Sequence, residues 1–96
     1  MDFAILPNCV TIASGPRLSY LIFHAVNTGW WLEVYENAYC DGVLSWVEMR
    51  GRQPLDHALI RSHDRACAVV LAYEQMAFGP IAGRMDEALA AAGCAT

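Results

Sequence analysis

The chain has 96 residues and a net charge of −4, from ten acidic residues against six arginines and no lysine; 56% of it is apolar and 17% charged. A single domain of this size can build a core but has little interior to spare. The acidic balance argues against non-specific nucleic-acid binding, which rests on clustered cations neutralising phosphates, and no apolar run reaches the roughly 18 residues of a membrane span.

Residues 1–96 read as one domain, without repeats, low-complexity tracts or a linker. Phe3–Leu6 and Cys9–Ala13 are brief β-type runs separated by the turn signal Pro7-Asn8, and Ser14-Gly15-Pro16 breaks the chain again. Leu18–Val26 and Trp30–Glu36 then read as a hairpin around Asn27-Thr28-Gly29. Asp41-Gly42 marks a second turn, and Val43–Met49 reads as a third strand.

From Pro54 the apolar spacing becomes helical. Pro54 suits a first helical position with Asp56 in the first turn, and Ser62-His63-Asp64 divides a short helix from a longer one. Leu55, Leu59, Ala66, Val69, Val70, Tyr73, Met76 and Ala77 form the apolar stripe of these helices. Gly79-Pro80 ends it, and a last helix runs from about Arg84 to Ala92 and closes at Gly93. Strands followed by helices predict an α+β fold: an antiparallel sheet of three to five short strands, packed on one face by two or three C-terminal helices.

Alternation along the strands then sorts side chains between faces. The helix-facing set is Leu21, Phe23 and Ala25 with Trp30, Leu32 and Val34, and with Val43 and Val47. Tyr20, His24, Trp31, Glu33, Tyr35, Trp46 and Glu48 fall on the other face. The opposite register would bury Glu33 and Glu48 without partners. Trp30 is therefore expected in the core and Trp31 outside it. With Glu36 and Asp41 nearby and no arginine between Arg17 and Arg50, the outward face reads as aromatic and acidic, a surface for a basic protein partner. The N-terminal strands folding over those aromatics, or a second copy covering them in a homodimer, would account for the same pattern.

Chemical motifs are sparse. Cys9, Cys40, Cys67 and Cys94 are widely spaced, and Met1-Asp2-Phe3 lacks the basic start of a signal peptide, so free thiols and a cytoplasmic location are expected. His63 and Cys67 stand four apart, a spacing that suits two zinc ligands, but zinc needs three or four and only Cys40 or His57 offers another, so no metal or cofactor is expected. His24, His57 and His63 are possible bases and Ser45, Ser62 or a cysteine possible nucleophiles, yet no catalytic motif joins them. Arg50, Arg52, Arg61 and Arg65 sit beside Asp56 and Asp64 and read as a solvated ion-pair surface.

Small size, acidity, a compact α+β plan and an aromatic sheet face without catalytic motifs resemble the phage-encoded inhibitors of bacterial defence, of which the anti-CRISPR proteins are the best-known group. That resemblance implies a non-enzymatic inhibitor that occupies a basic, nucleic-acid-binding surface of a CRISPR effector complex, touching no nucleic acid directly. The alternative is a small homodimeric ligand-binding or regulatory domain from a bacterium or phage.

Overall fold

The computed structural model describes residues 1–76 and 79–94. In chain order its elements are β1 (Ala4–Ile5), β2 (Thr11–Ser14), β3 (Leu18–Ala25), β4 (Gly29–Glu36), β5 (Tyr39–Cys40), β6 (Val43–Leu44), α1 (Trp46–Arg50), β7 (Asp56–Ile60), α2 (His63–Gln75) and α3 (Arg84–Ala91). Five strands form an antiparallel sheet in the order β1-β2-β3-β4-β7, and β5 and β6 form a separate two-stranded hairpin. The fold is α+β, with α2 and α3 on one face of the sheet. No helix among the described residues is long and apolar enough to cross a membrane.

The helix-side core joins Tyr20, Ile22, Leu32, Val34, Ala58 and Ile60 from the sheet to Ala66, Val69, Val70 and Tyr73 of α2 and Met85 and Ala88 of α3. Trp30 packs against this cluster, on the face expected of it. Ser62 caps α2 by accepting a hydrogen bond from the Arg65 N–H at 3.2 Å. The apolar stripe then lands on the sheet with Met76 partly buried at its end, while Ala77 lies outside the described residues.

Three expectations are corrected. First, β3 is turned over. Its hairpin to β4 pairs Ala25 with Gly29, so His24 lies opposite Trp30, Tyr20 opposite Val34 and Phe23 opposite Trp31. Asn27 at φ 67° and Gly29 at φ 113° shape the turn, and a Cβ on Gly29 would come within 2.9 Å of the Ile60 carbonyl oxygen. Tyr20 and His24 therefore face the helices, whereas Leu21 and Phe23 share the outer face with Trp31 and Glu33. The sequence of β3 resists assignment because it is apolar on both faces, and both are covered along most of its length: Tyr20 is 0% exposed and Leu21 3%.

Second, residues 43–49 do not add a strand to the main sheet, since Val43–Leu44 is β6 of the separate hairpin and Trp46–Arg50 is helical. Ser45 accepts from the Glu48 N–H at 3.2 Å and caps the helix α1, which lays Met49 onto the outer face with Leu21, Tyr35 and Ala38. Third, the segment after Pro54 is strand β7, paired with β4, and not a helix. Ala58 and Ile60 are buried while His57 and Leu59 are exposed, the period of two that a strand requires. The N-terminal strands extend the sheet at its edge beyond β3 and do not fold over its outer face.

Candidate protein-binding face

The sheet's outer face divides into a closed half and an open half. On the closed half, α1 and the β5–β6 hairpin cover Leu21, Tyr35, Ala38 and Met49, with Val10, Ile12, Phe23, Leu44 and Trp46 packed around them. Tyr35 donates its hydroxyl hydrogen bond to Glu33 Oε1 at 2.8 Å. Burial first, and that carboxylate second, push the Tyr35 hydroxyl above its usual range, while the Arg50 guanidinium opposes the shift.

The open half lies over β4 and β7, with Phe23 of β3 on the boundary between the two halves. Phe23, Trp31 and Leu59 are cross-strand neighbours on three adjacent strands, so alternation brings them side by side. The Trp31 ring stacks on His57 with centroids 4.9 Å apart and planes 22° from parallel. Trp31 is half-buried and Leu59 is 51% exposed. On the closed half, α1 turns Val47 outward at 83% exposure beside the exposed Glu48. The result is an aromatic platform fixed by its neighbours, with acidic and apolar groups around it.

Trp31, Glu33, Tyr35 and Trp46 thus reach one side of the sheet as expected, although Trp46 and Glu48 arrive there on a helix rather than a strand. Tyr35 is buried and serves the face from beneath. Tyr20 is fully buried against α2, with His24 on the same helix-facing side, so neither belongs to this surface. Glu36 ends β4 on the helix-facing side, where it lines a cleft with Arg17, Leu18 and Arg84. Asp41 sits at φ 51° at the exposed tip of the β5–β6 hairpin. Nor is the face free of bases, since Arg50 acts on Tyr35 and His57 stacks on Trp31. Phe23, His57 and Leu59 were not among the expected surface residues. The three-residue spacing between Ala25 and Gly29 signals Phe23, and the alternation of Asp56–Ile60 signals the other two.

Polar chemistry on the helix side is structural in its geometry. Tyr20 donates to Glu74, Tyr73 donates to Asp56 Oδ2 at 3.1 Å, and the Arg84 guanidinium lies 5.2 Å over the Tyr73 ring. Arg84 is 3% exposed and donates to the carbonyls of Gly79 and Pro80, which ties the start of α3 to the segment before it. Burial and the Asp56 carboxylate push the Tyr73 hydroxyl up to about 12. His63 Nε2 lies 2.8 Å from Thr11 Oγ1, and its ring packs edge-on to Trp30, which in turn meets His24. Cys67 Sγ is 3.9 Å from His63 Nδ1, but burial and then Asp64 push its thiol up, away from the reactive thiolate. Among the described residues no group of three or more His, Cys, Asp or Glu side chains is placed to hold a metal ion.

Comparison of the chain with protein-family models, curated proteins and solved structures finds no match.

Proposed function

We propose that this protein is a non-enzymatic inhibitor that binds a partner protein through the open half of its outer sheet face, in the cytoplasm of a bacterial host. The partner class is a bacterial defence complex of the CRISPR effector type, met on a basic surface that otherwise holds nucleic acid. The observation that carries this reading is the Trp31–His57 stack beside the exposed Leu59. A tryptophan already held by a neighbour loses little side-chain freedom on binding, so its contact area converts into affinity with a smaller ordering cost. Glu33 and Glu48 steer a basic partner towards it, and the net charge of −4 acts in the same direction. Burial and the nearby Asp64 push the Cys67 thiol up, which speaks against Cys67 as a nucleophile.

The test is capture of the protein's partner from a bacterial lysate with wild type and with Trp31→Ala as bait. A protein retained by wild type and lost with Trp31→Ala supports the reading; identical retention by both removes it. A homodimeric regulatory or ligand-binding domain is the second reading, favoured by the 83% exposure of Val47 on α1. Light scattering separates the two, because a dimer that covers this face would have no free platform for another protein.

A further inference from the structure

The sheet has two edges, and they are not equivalent. At one end β1 is two residues long and is followed closely by Pro7, a strand too short to template another. At the other end β7 runs for five residues with neither proline nor lysine in it. The His57 N–H is held by Asp56 Oδ1 at 3.0 Å, which fixes the phase of the strand: the main-chain groups of His57 and Leu59 turn away from β4. Leu59 therefore presents an N–H and a C=O, and His57 a C=O, along an edge that no other described strand pairs.

Beside that edge lies a groove of about 360 Å³, walled on one side by Asp56–Leu59 of β7 and on the other by Gly83, Met85, Asp86 and Leu89. Met85, Asp86 and Leu89 share one flank of α3, being three and four residues apart. An edge strand flanked by a helix is the geometry in which an extended peptide adds to a sheet, with main-chain hydrogen bonds on one side and side-chain pockets on the other. The groove's chemistry specifies what would fill it. Among the described residues two carboxylates, Asp56 and Asp86, line it and no arginine does. The half-buried Leu89, beside the largely buried Met85, supplies an apolar wall.

We propose that this groove is a second docking site, which takes an extended segment of a partner protein by strand addition to β7. The segment carries an Arg or Lys directed at Asp86 and Asp56, and an apolar residue two positions away against Met85 and Leu89, since residues two apart share a face of a strand. A second copy of this chain is the poorer occupant, because pairing two β7 edges would bring the acidic residues of both grooves together. The determinants on α3 lie on the opposite side of the sheet from Trp31 and Trp46; His57 and Leu59 of β7 border both sites, so substitution at Asp86 tests the groove apart from the outer face.

The experiment pans a displayed library of random short peptides against the wild-type protein, then titrates the enriched peptide into labelled protein while following amide exchange. Enrichment of sequences that alternate basic and apolar residues is expected, with new protection at the Leu59 amide. N-methylation of the peptide residue opposite Leu59 should abolish the protection. Asp86→Arg should weaken binding about fivefold or more, the upper range for a surface ion pair, while Asp86→Asn, which keeps the shape, should weaken it less. The proposal is overturned if no basic peptide is enriched, if the peptide binds Asp86→Arg as well as wild type, or if protection falls away from β7. Protection of Leu59 in the free protein at high concentration would instead assign the edge to a second copy and likewise remove the proposal.

Discussion

Individual side chains in this protein work in one of two ways, and adjacent residues often differ. Trp30 and Trp31 are neighbours that alternation sends to opposite faces, the first onto the α2 core and the second onto His57. Trp30→Ala should cost about 3 kcal/mol, the lower end for truncating a large core aromatic, and chemical denaturation would report it. Trp31→Ala should cost well under half of that, since its main support is one stacked ring at the surface. The buried tyrosines make a second claim at this scale. Tyr73 moves from 10.0 up to about 12, and Tyr20 is raised further, mainly by burial. A hydroxyl whose folded pKa is raised binds its proton more tightly in the native state, so the stabilisation is complete below the unfolded value near 10 and is lost as pH climbs through the folded one. Denaturation midpoints should hold up to about pH 10 and then fall, and Tyr73→Phe should fall less steeply over that range. A flat profile to pH 12 in wild type would remove the coupling.

At the scale of elements, α1 and β7 decide what the outer face becomes. The capping pair Ser45 and Glu48 starts a helix of only five residues, so α1 depends on its cap and on Met49 more than on its own propensity. Ser45→Ala should cost about 1 kcal/mol and loosen the cover over Leu21 and Tyr35, which near-ultraviolet dichroism of the nearby Trp46 would register. For β7, the amides of Ala58 and Ile60 should exchange slowly and that of Leu59 fast, because only alternate residues bond to β4. Uniform protection along Asp56–Ile60 would mean that the edge is already covered.

These two elements also mark where the sequence was hard to read. The hairpin of β3 and β4, the helix α2 with its Ser62 cap, and α3 closing before Gly93 all follow from turn residues, spacing and caps that act locally. The faces of β3 do not, because Leu18, Tyr20 and Ile22 are as apolar as Leu21 and Phe23, and only the pairing of Ala25 with Gly29 separates them. Residues 43–49 carry strand-forming side chains, but only Val43–Leu44 is strand, and the Ser45 cap turns the rest into α1. Leu55 and Leu59 fit a helical stripe by spacing alone, whereas β7 exists because β4 offers an edge, which is a tertiary fact. Alternation along β4 made the shared face of Trp31 and Glu33 legible, whereas Trp46 reaches that side on α1 and not on the expected strand, and His57 and Leu59 depended on recognising β7.

The molecule as a whole is an acidic body with a covered helix side and a half-open outer side. Net charge of −4 leaves few phosphate contacts outside the Arg50–Arg65 region, so at physiological salt the protein is predicted to leave duplex DNA and RNA unshifted in gel assays. A salt-sensitive micromolar shift would instead point to the arginines around β7. For the central claim, that the open face occupies a partner's nucleic-acid-binding surface, the most direct measurement is target-DNA binding by purified CRISPR effector complexes with and without this protein. Wild type is predicted to reduce DNA binding by an effector complex it inhibits, and Trp31→Ala, folded to the same midpoint within about 1 kcal/mol, is predicted to lose that effect. Unchanged DNA binding across the effector complexes, or equal inhibition by Trp31→Ala, would contradict the account.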